Sequence, residues 1–326
     1  MASPSSTLAT LRPELAGSLM EFDLAMNMQG FIAQQVLPVT DVSYASGTYG
    51  KIPIEQLLDQ RETARSPGAG YSRSGFTFTT ESYACLENGA EEIVDDREAK
   101  MYADYFDAEL VATARAYSAV MVNQERRVAA KLFNPTTYTG SSLYLDTATP
   151  WTSANYSSSK PIDDVQFALD KIYQNTGLYG NVLICNRFVY RDLKRSDQII
   201  DALVAQGAGD RSTLRDITKA QIASALDLDD IIVAEGSRNT AAEGLAASVG
   251  QIWSSSYAMV ARICKTGDIR EPGLGRIFHW SEDGSVIGGA VESYREEQKR
   301  GDVIRVRHDT DEKIHYVECG FLLKVD

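Results

Sequence analysis

Histidine is scarce in this 326-residue sequence: only His279, His308 and His315 occur. So few imidazoles make the chain a poor host for a His-ligated metal or a His-based triad. Cysteine is nearly as rare. Cys85, Cys185, Cys264 and Cys319 are far apart, so no CxxC unit exists, and each sits in an apolar or strand-like setting (SYACL, VLICN, ARICK, VECGF). They read as four buried, reduced thiols. No run approaches the roughly 20 apolar residues that cross a bilayer. The first 20 residues lack a basic start followed by an apolar run, so no signal peptide is expected and the chain should stay in a cytoplasm. Positive charge is also short, with a formal net charge of −13. That balance does not suit gripping nucleic acid or anionic lipid as a main task. It suits a protein that stays soluble at high concentration, or that faces DNA without sticking to it.

The composition that remains is globular, 44% apolar and 24% charged, in a length that supports two packed cores or one large one. Motifs for chemistry are mostly missing. There is no GxxxxGK[ST] loop, GxSxG elbow or HExxH, and the GAGDR run at 207–211 follows a helical pattern and reads as a turn. Ser157-Ser-Ser-Lys160, Tyr173-Gln-Asn175 and Lys265-Thr-Gly267 match, in order, the three short motifs of serine β-lactamases. Pro161 directly after Lys160 keeps that lysine out of a helix interior, and Tyr173 falls inside a helical pattern. His308 and His315, with Asp309, Asp311 and Glu312 between them, read as a hairpin with a charged turn rather than a metal cluster. No catalytic, cofactor-binding or metal-binding residue is assigned.

Along the chain, residues 1–20 are Ser/Thr/Pro-rich and read as a loose arm. Phe31 to Val39 (FIAQQVLPV) is expected to be extended or an edge element, because of Pro38. Residues 48–84 read as a long hairpin: TYGKIPIEQ and SGFTFTTESY, the latter with period-two alternation, flank a polar, Gly-containing stretch whose large apolar anchors are only Leu57, Leu58 and Tyr71. Such a tip cannot bury itself within its own subunit, and lying on a neighbour would explain it. Glu81 to Glu98 is acidic and reads as a solvated face, with Asp95 and Asp96 set to cap a following helix. From Arg97 to Phe133 neither Gly nor Pro interrupts an apolar three-to-four-residue pattern, so one helix of about 55 Å is expected. Residues 134–160 read as a surface excursion. Roughly 160–270 alternate helix and strand: a helix from Pro161 to Gly177, then strands at NVLIC and DIIVAE. Strand candidates close the chain at SVIGGAVESYREEQ, DVIRVRHD and KIHYVECGFLLK, with a turn at Asp311-Glu312 between the last two.

Several stretches, in order, resemble the major capsid proteins of tailed bacteriophages, which share the Hong Kong 97 type fold with encapsulins. They are FIAQQVLPVTDVSYASGTYGKIP, ETARSPGAGYSRSGFTFTTESYACLENGAEEIVDDRE, NQERRVAAKLFNPTTYT, the region from WTSANYSSSKPIDD to KRSDQII, and the closing ESYREEQKRGDVIRVRHDTDEKIHYVECGFLLK. The resemblance covers nearly the whole chain from about residue 28 and rests on order and texture rather than on one chemical motif. It implies an α+β fold with an N-terminal arm (1–45), an extended β-hairpin loop (46–85), a peripheral domain with a long spine helix (86–135 and 271–326, the last strand free to join the axial sheet) and an α/β axial domain (136–270). It implies self-assembly into hexamers and pentamers, an icosahedral shell around double-stranded DNA without sequence-specific binding, and partners in a scaffolding protein and a portal; the shell is expected to be non-covalent, or clamped by a separate cement protein. The expected location is the virion capsid, assembled in the host cytoplasm, with no membrane and no cofactor.

Two departures from the family matter. No Lys lies between Lys51 and Lys100, so the hairpin cannot supply the amine of the covalent cross-link some members make. Only about 20–30 residues precede the matching region, so a separate scaffold is expected. Arg61, Glu62, Arg65 and Arg73 near the hairpin tip are expected to meet Glu91, Glu92, Asp95 or Asp96 on a neighbour. An encapsulin-like compartment shell and a soluble serine hydrolase stand as the alternatives.

Overall fold

The computed structural model describes residues 10–11, 30–53, 58, 60, 63–73, 75, 77–102, 107–207, 217–242, 244–246, 248–266, 271–281 and 284–326. The first described strand is β1 (Thr10–Leu11). FIAQQVLPV then holds one helical turn, α1 (Ala33–Val36), where extended chain was expected, and only its end enters an edge strand, β2 (Val39–Val42). The turn forms because the Ile32 and Ala33 amides both donate to the buried Glu125 carboxylate, while the Leu37 amide closes onto the Ala33 carbonyl. Pro38 has no amide with which to continue it. The expected hairpin is present at its base, with shorter limbs than expected: pairing ends at Lys51 and Thr79, Phe78 lies outside the strand, and residues 54–57, 74 and 76 lie outside the described residues. β3 (Ser46–Lys51) and β4 (Thr79–Ala84) pair antiparallel, with Ser46 opposite Ala84 and Lys51 opposite Thr79.

β5 (Leu86–Asp95) leads into α2 (Asp96–Tyr102) and α3 (Ala108–Leu132). The single helix expected over Arg97–Phe133 is therefore two. Asp107 is extended (φ −80°, ψ 112°), and its Oδ1 accepts the Glu109 and Leu110 amides at 3.0 and 3.4 Å. An aspartate so placed starts a helix instead of continuing one. Tyr105 and Phe106, part of the expected apolar stripe, lie outside the described residues. α3 has 25 residues, or about 37 Å.

The excursion at 134–160 is less superficial than expected. It buries Tyr138 and Trp151 and contributes β6 (Tyr144–Asp146) to a sheet; Trp151 Nε1 donates to Asp164 at 2.8 Å. The α/β region follows the sequence pattern closely. α4 (Pro161–Thr176) has Pro at its start and ends on Gly177, whose left-handed φ of 69° favours glycine. Then come β7 (Val182–Asn186), α5 (Arg187–Leu193), α6 (Asp197–Ala205), α7 (Lys219–Ala225) and β8 (Asp230–Ala234). The ribbon of β9 (Ser237–Asn239) and β10 (Val249–Gln251) precedes β11 (Tyr257–Ala261).

The C-terminal strands are β12 (Gly275–Trp280), β13 (Ala290–Glu296), β14 (Gly301–Ile314) and β15 (Gly320–Lys324). The turn expected at Asp311-Glu312 is absent: β14 runs straight through both residues. The Asp311 carboxylate accepts the Ala84 amide at 2.9 Å, and the Glu312 side chain, 3% exposed, is bound by Arg127 and Lys131. What looks like turn chemistry in one dimension is therefore inter-element pairing in three. The chain leaves β14 only at His315, and β15 joins a different sheet.

β14 is the axis of the larger sheet. β5 pairs antiparallel along residues 301–310, β13 pairs with 301–307, and β12 with 310–314; β2 lies parallel to β12, and β1 against β13. The smaller sheet has the order β6-β15-β11-β7-β8. α3 belongs to both. Its first half (Ala112, Ala116, Tyr117, Val120) packs on Val94, Val291, Ile304 and Val306 of the larger sheet. Its second half (Val128, Leu132) packs with Ile184, Met259 and Leu322 of the smaller one. Helices α4 to α7 cover the smaller sheet's opposite face, where Leu169, Ile172 and Ile222 meet Leu183, Val260 and Phe321.

Candidate assembly interface

The β3–β4 hairpin is fastened at its base. The Tyr49 hydroxyl donates to Glu81 at 2.7 Å and lies 2.9 Å from His315 Nδ1, which must then be the donor to it. Lys51 pairs with Glu81 at 3.1 Å, donates to the His315 carbonyl and sits 4.6 Å over the Tyr316 ring. Tyr49 and Tyr83 pack on Phe278. Burial pushes the Glu81 carboxyl up, but Tyr49 and Lys51 outweigh it and hold the group below its ordinary value. Burial likewise pushes His315 down to about 4, so it is neutral, and its Nε2 has no partner among the described residues.

Beyond this base the described apolar side chains of the hairpin are poorly covered, although Leu58 lies beside Gly177 of the same chain. Leu58, Tyr71 and Phe78 are 61, 73 and 60% exposed. Arg65 is used locally: Nε donates to the Ala69 carbonyl at 2.6 Å, and the guanidinium lies 4.6 Å over the Tyr71 ring. Arg73 is exposed and has no partner among the described residues. Arg61 and Glu62 lie outside the described residues.

The four acids singled out in the sequence cluster where the larger sheet meets α2 and α3, and each has a partner in its own chain. Glu91 pairs with Arg305 at 2.6 Å, and Glu92 with Arg115 at 3.4 Å. Asp95 caps α2, accepting the Arg97 amide at 2.7 Å. Asp96 receives both Arg295 nitrogens at 2.6 Å, and this hydrogen-bonded fork lowers its pKa. The single chain does not bring Arg65 or Arg73 to these acids in any ion pair among the described residues.

Two buried polar clusters escape sequence reasoning because their members are remote from one another. Glu125, 1% exposed, accepts the Ile32 amide at 2.9 Å, the Ala33 amide at 2.8 Å and Trp253 Nε1 at 2.6 Å. Burial raises its pKa, and the three donors offset this only in part. Glu312 meets Arg127 at 2.9 Å and Lys131 at 3.4 Å. There burial is outweighed by the two cations, and the carboxyl stays below its ordinary value. A carboxylate in the middle of an amphipathic helix, as Glu125 is, was the available signal for the first cluster.

The enzyme-like motifs serve other ends. Lys160 precedes α4 and pairs with Asp163 at 3.6 Å, Tyr173 stacks on Tyr179 at 4.7 Å, Asn175 donates to the Ser142 carbonyl at 3.0 Å, and Lys265 pairs with Asp229 at 2.7 Å; Gly267 lies outside the described residues. His308 Nδ1 faces the Ile287 carbonyl at 3.1 Å, and burial holds that ring near pKa 4. No three His, Cys, Asp or Glu side chains among the described residues are grouped to hold a metal ion. The cysteines are free, with Cys185, Cys264 and Cys319 buried; Cys85 is only half-buried, at the joint between hairpin and sheet. No helix among the described residues is long and apolar enough to cross a membrane.

α3 thus bridges two sheets, and the hairpin is fastened at its base while Leu58, Tyr71 and Phe78 stay largely exposed. The chain has the α+β, Hong Kong 97-like fold of phage capsid proteins. It is 22% identical, over 90% of its length and 91% of the relative's, to the major capsid protein of Pseudomonas phage JBD67. A phage-related protein from Bordetella bronchiseptica RB50 superposes with a TM-score of 0.67, at 19% identity and 97% coverage of both chains. The mature capsid of bacteriophage PhiM1 superposes with a TM-score of 0.56, at 12% identity over 88% of this chain and 85% of that one. No family model matches the sequence.

Proposed function

We propose that this chain is a major capsid protein, the self-assembling subunit of the icosahedral shell around a double-stranded DNA phage genome, with a structural and not a catalytic role. The observation that carries this reading is the hairpin: a base held by Tyr49, Lys51 and Glu81, and a tip whose Leu58, Tyr71 and Phe78 are open to solvent. Exposed aromatic and aliphatic groups on a protruding arm gain stability only when another surface covers them. Its fold and its capsid-named relative support the same conclusion.

In this reading residues 1–45 are the arm and 46–85 the extended loop that lies on an adjacent subunit. Residues 86–135 and 271–326 form the peripheral domain, with β15 crossing into the axial sheet, and 136–270 form the axial domain. Subunits group as hexamers and pentamers, with help from a separate scaffolding protein, a portal and a cement protein. Arg65 and Arg73 approach the neighbour's Glu91, Glu92, Asp95 and Asp96. Because those acids already have partners in their own chain, the arriving arginines share them in a network instead of forming isolated pairs. Expression of the chain alone and with a scaffold, followed by negative-stain electron microscopy, tests the proposal. Closed shells or ring-shaped capsomers are expected, and a uniform population of small compact particles in both samples would refute it.

A further inference from the structure

α3 turns one side to the two sheets and the other outward. The outward side forms a wall of an open groove of about 720 Å³, bounded by Glu92 of β5 and by β9 of the β9–β10 ribbon. In a chain of net charge −13 this groove is cationic. Arg115, Arg126 and Arg238 line it, against one carboxylate, Glu92. Glu92 is taken by Arg115 at 3.4 Å. Arg126 is steadied by Asn123 Oδ1 at 3.0 Å. Neither Arg126 nor Arg238 has a carboxylate partner among the described residues. The apolar lining is only Ala119 and Val122, too little to anchor an amphipathic helix, which docks through large apolar side chains. Guanidinium forks beside hydroxyl and amide groups are the donor set that phosphate oxygens accept from.

We propose that the groove between α3 and the β9–β10 ribbon receives backbone phosphates of double-stranded DNA, a few per subunit and without reading bases. The inference rests on the shell reading above and adds to it a local contact with the packaged genome. Each subunit binds weakly. Repetition over a shell orders the outermost DNA, while the acidic remainder of the surface prevents tight adhesion.

The test is fluorescence anisotropy of a short labelled DNA duplex with the purified full-length subunit, in buffers of rising salt. Binding at low salt is expected, with a log–log salt slope of about −2 to −3, since each neutralised phosphate contributes roughly −0.9. The double variant Arg126→Glu/Arg238→Glu should lose about tenfold or more in affinity and flatten that slope by about 2. If the reversed pair does not fold, Arg126→Gln/Arg238→Gln gives the same comparison with a smaller loss. No duplex binding by the unsubstituted chain at low salt would overturn the proposal, as would unchanged affinity in the folded variant. So would a poly-glutamate peptide that binds as tightly as the duplex, because the groove would then be a site for acidic protein segments. Electron microscopy of the same proteins, alone and with a scaffold, separates the two readings: normal shells with unchanged DNA affinity in the variant reject the groove and leave the shell standing, whereas only small compact particles from the unsubstituted chain in both samples reject both.

Discussion

Glu125 shows how one residue can tie distant parts of the chain together. Its carboxylate is buried with only N–H donors around it: two amides at the start of α1 and the indole of Trp253. Removing it strands three buried donors, each costing about 1–3 kcal/mol. Glu125→Ala should therefore destabilise the unassembled subunit by about 3–5 kcal/mol in urea unfolding. Glu125→Gln should cost less, because its carbonyl can still face Ile32 and Trp253 while its amide opposes only the Ala33 N–H. Equal stability of Glu125→Ala and the unsubstituted subunit would rule the latch out. His308 and His315 act through protons. Burial holds both near pKa 4, below the usual 6.5, so the unfolded chain takes up protons first as pH falls. Their contribution is complete above about pH 6.5 and is lost progressively toward pH 4. Glu81 and Glu312, held low, lose theirs only below the ordinary carboxylate range, while the raised Glu125 works in the opposite sense. The melting temperature should fall between pH 7 and pH 5, and the fall should shrink in His308→Asn. An identical fall in that variant would show that other groups are responsible.

At the scale of elements, the hairpin and α3 divide the labour. The hairpin's base is fixed by a hydrogen-bonded network, whereas beyond it Leu58 lies beside Gly177 of the same chain but stays mostly exposed, as do Tyr71 and Phe78, so a change there should affect assembly and spare folding. Charge reversal at Arg65 is expected to cut the yield of closed particles by about tenfold or more, if the shared network is worth about 1.4 kcal/mol per subunit contact. The far-ultraviolet spectrum and melting temperature of the subunit should stay unchanged. Particles formed at normal yield would show that Arg65 serves only its local contacts with Ala69 and Tyr71. Sequence patterns revealed the elements whose determinants are local: α4 between Pro161 and Gly177, the fully buried β7, and the limbs of the hairpin. They misled where a distant partner decides. Asp311 and Glu312 look like turn residues until the Ala84 amide, Arg127 and Lys131 are seen to pair with them. The helical turn at Ala33–Val36 starts where it does because a carboxylate 92 or 93 residues away accepts the Ile32 and Ala33 amides. Asp107, by contrast, was a legible helix start concealed in a sequence without Gly or Pro. The candidate site was legible as composition, a polar tip with a few apolar anchors and an acidic strand, but the in-chain partners of Asp96 and Glu91 were not, because Arg295 and Arg305 lie some 200 residues further on.

At the scale of the whole molecule, two cores share one helix, and the two sheets are further joined by the chain passing from β14 into β15. That arrangement ties the two sheets into one packed body, on which the proposed role of the hairpin depends. The direct measurement is a cryo-electron microscopy reconstruction of the assembled particle, at a resolution that traces residues 46–85. The expected result is a closed icosahedral shell in which the body keeps its fold and the hairpin tip lies on an adjacent subunit, with Leu58, Tyr71 and Phe78 covered. A reconstruction in which no adjacent subunit covers Leu58, Tyr71 and Phe78, or a preparation that yields no closed particle with or without a scaffold, would contradict it.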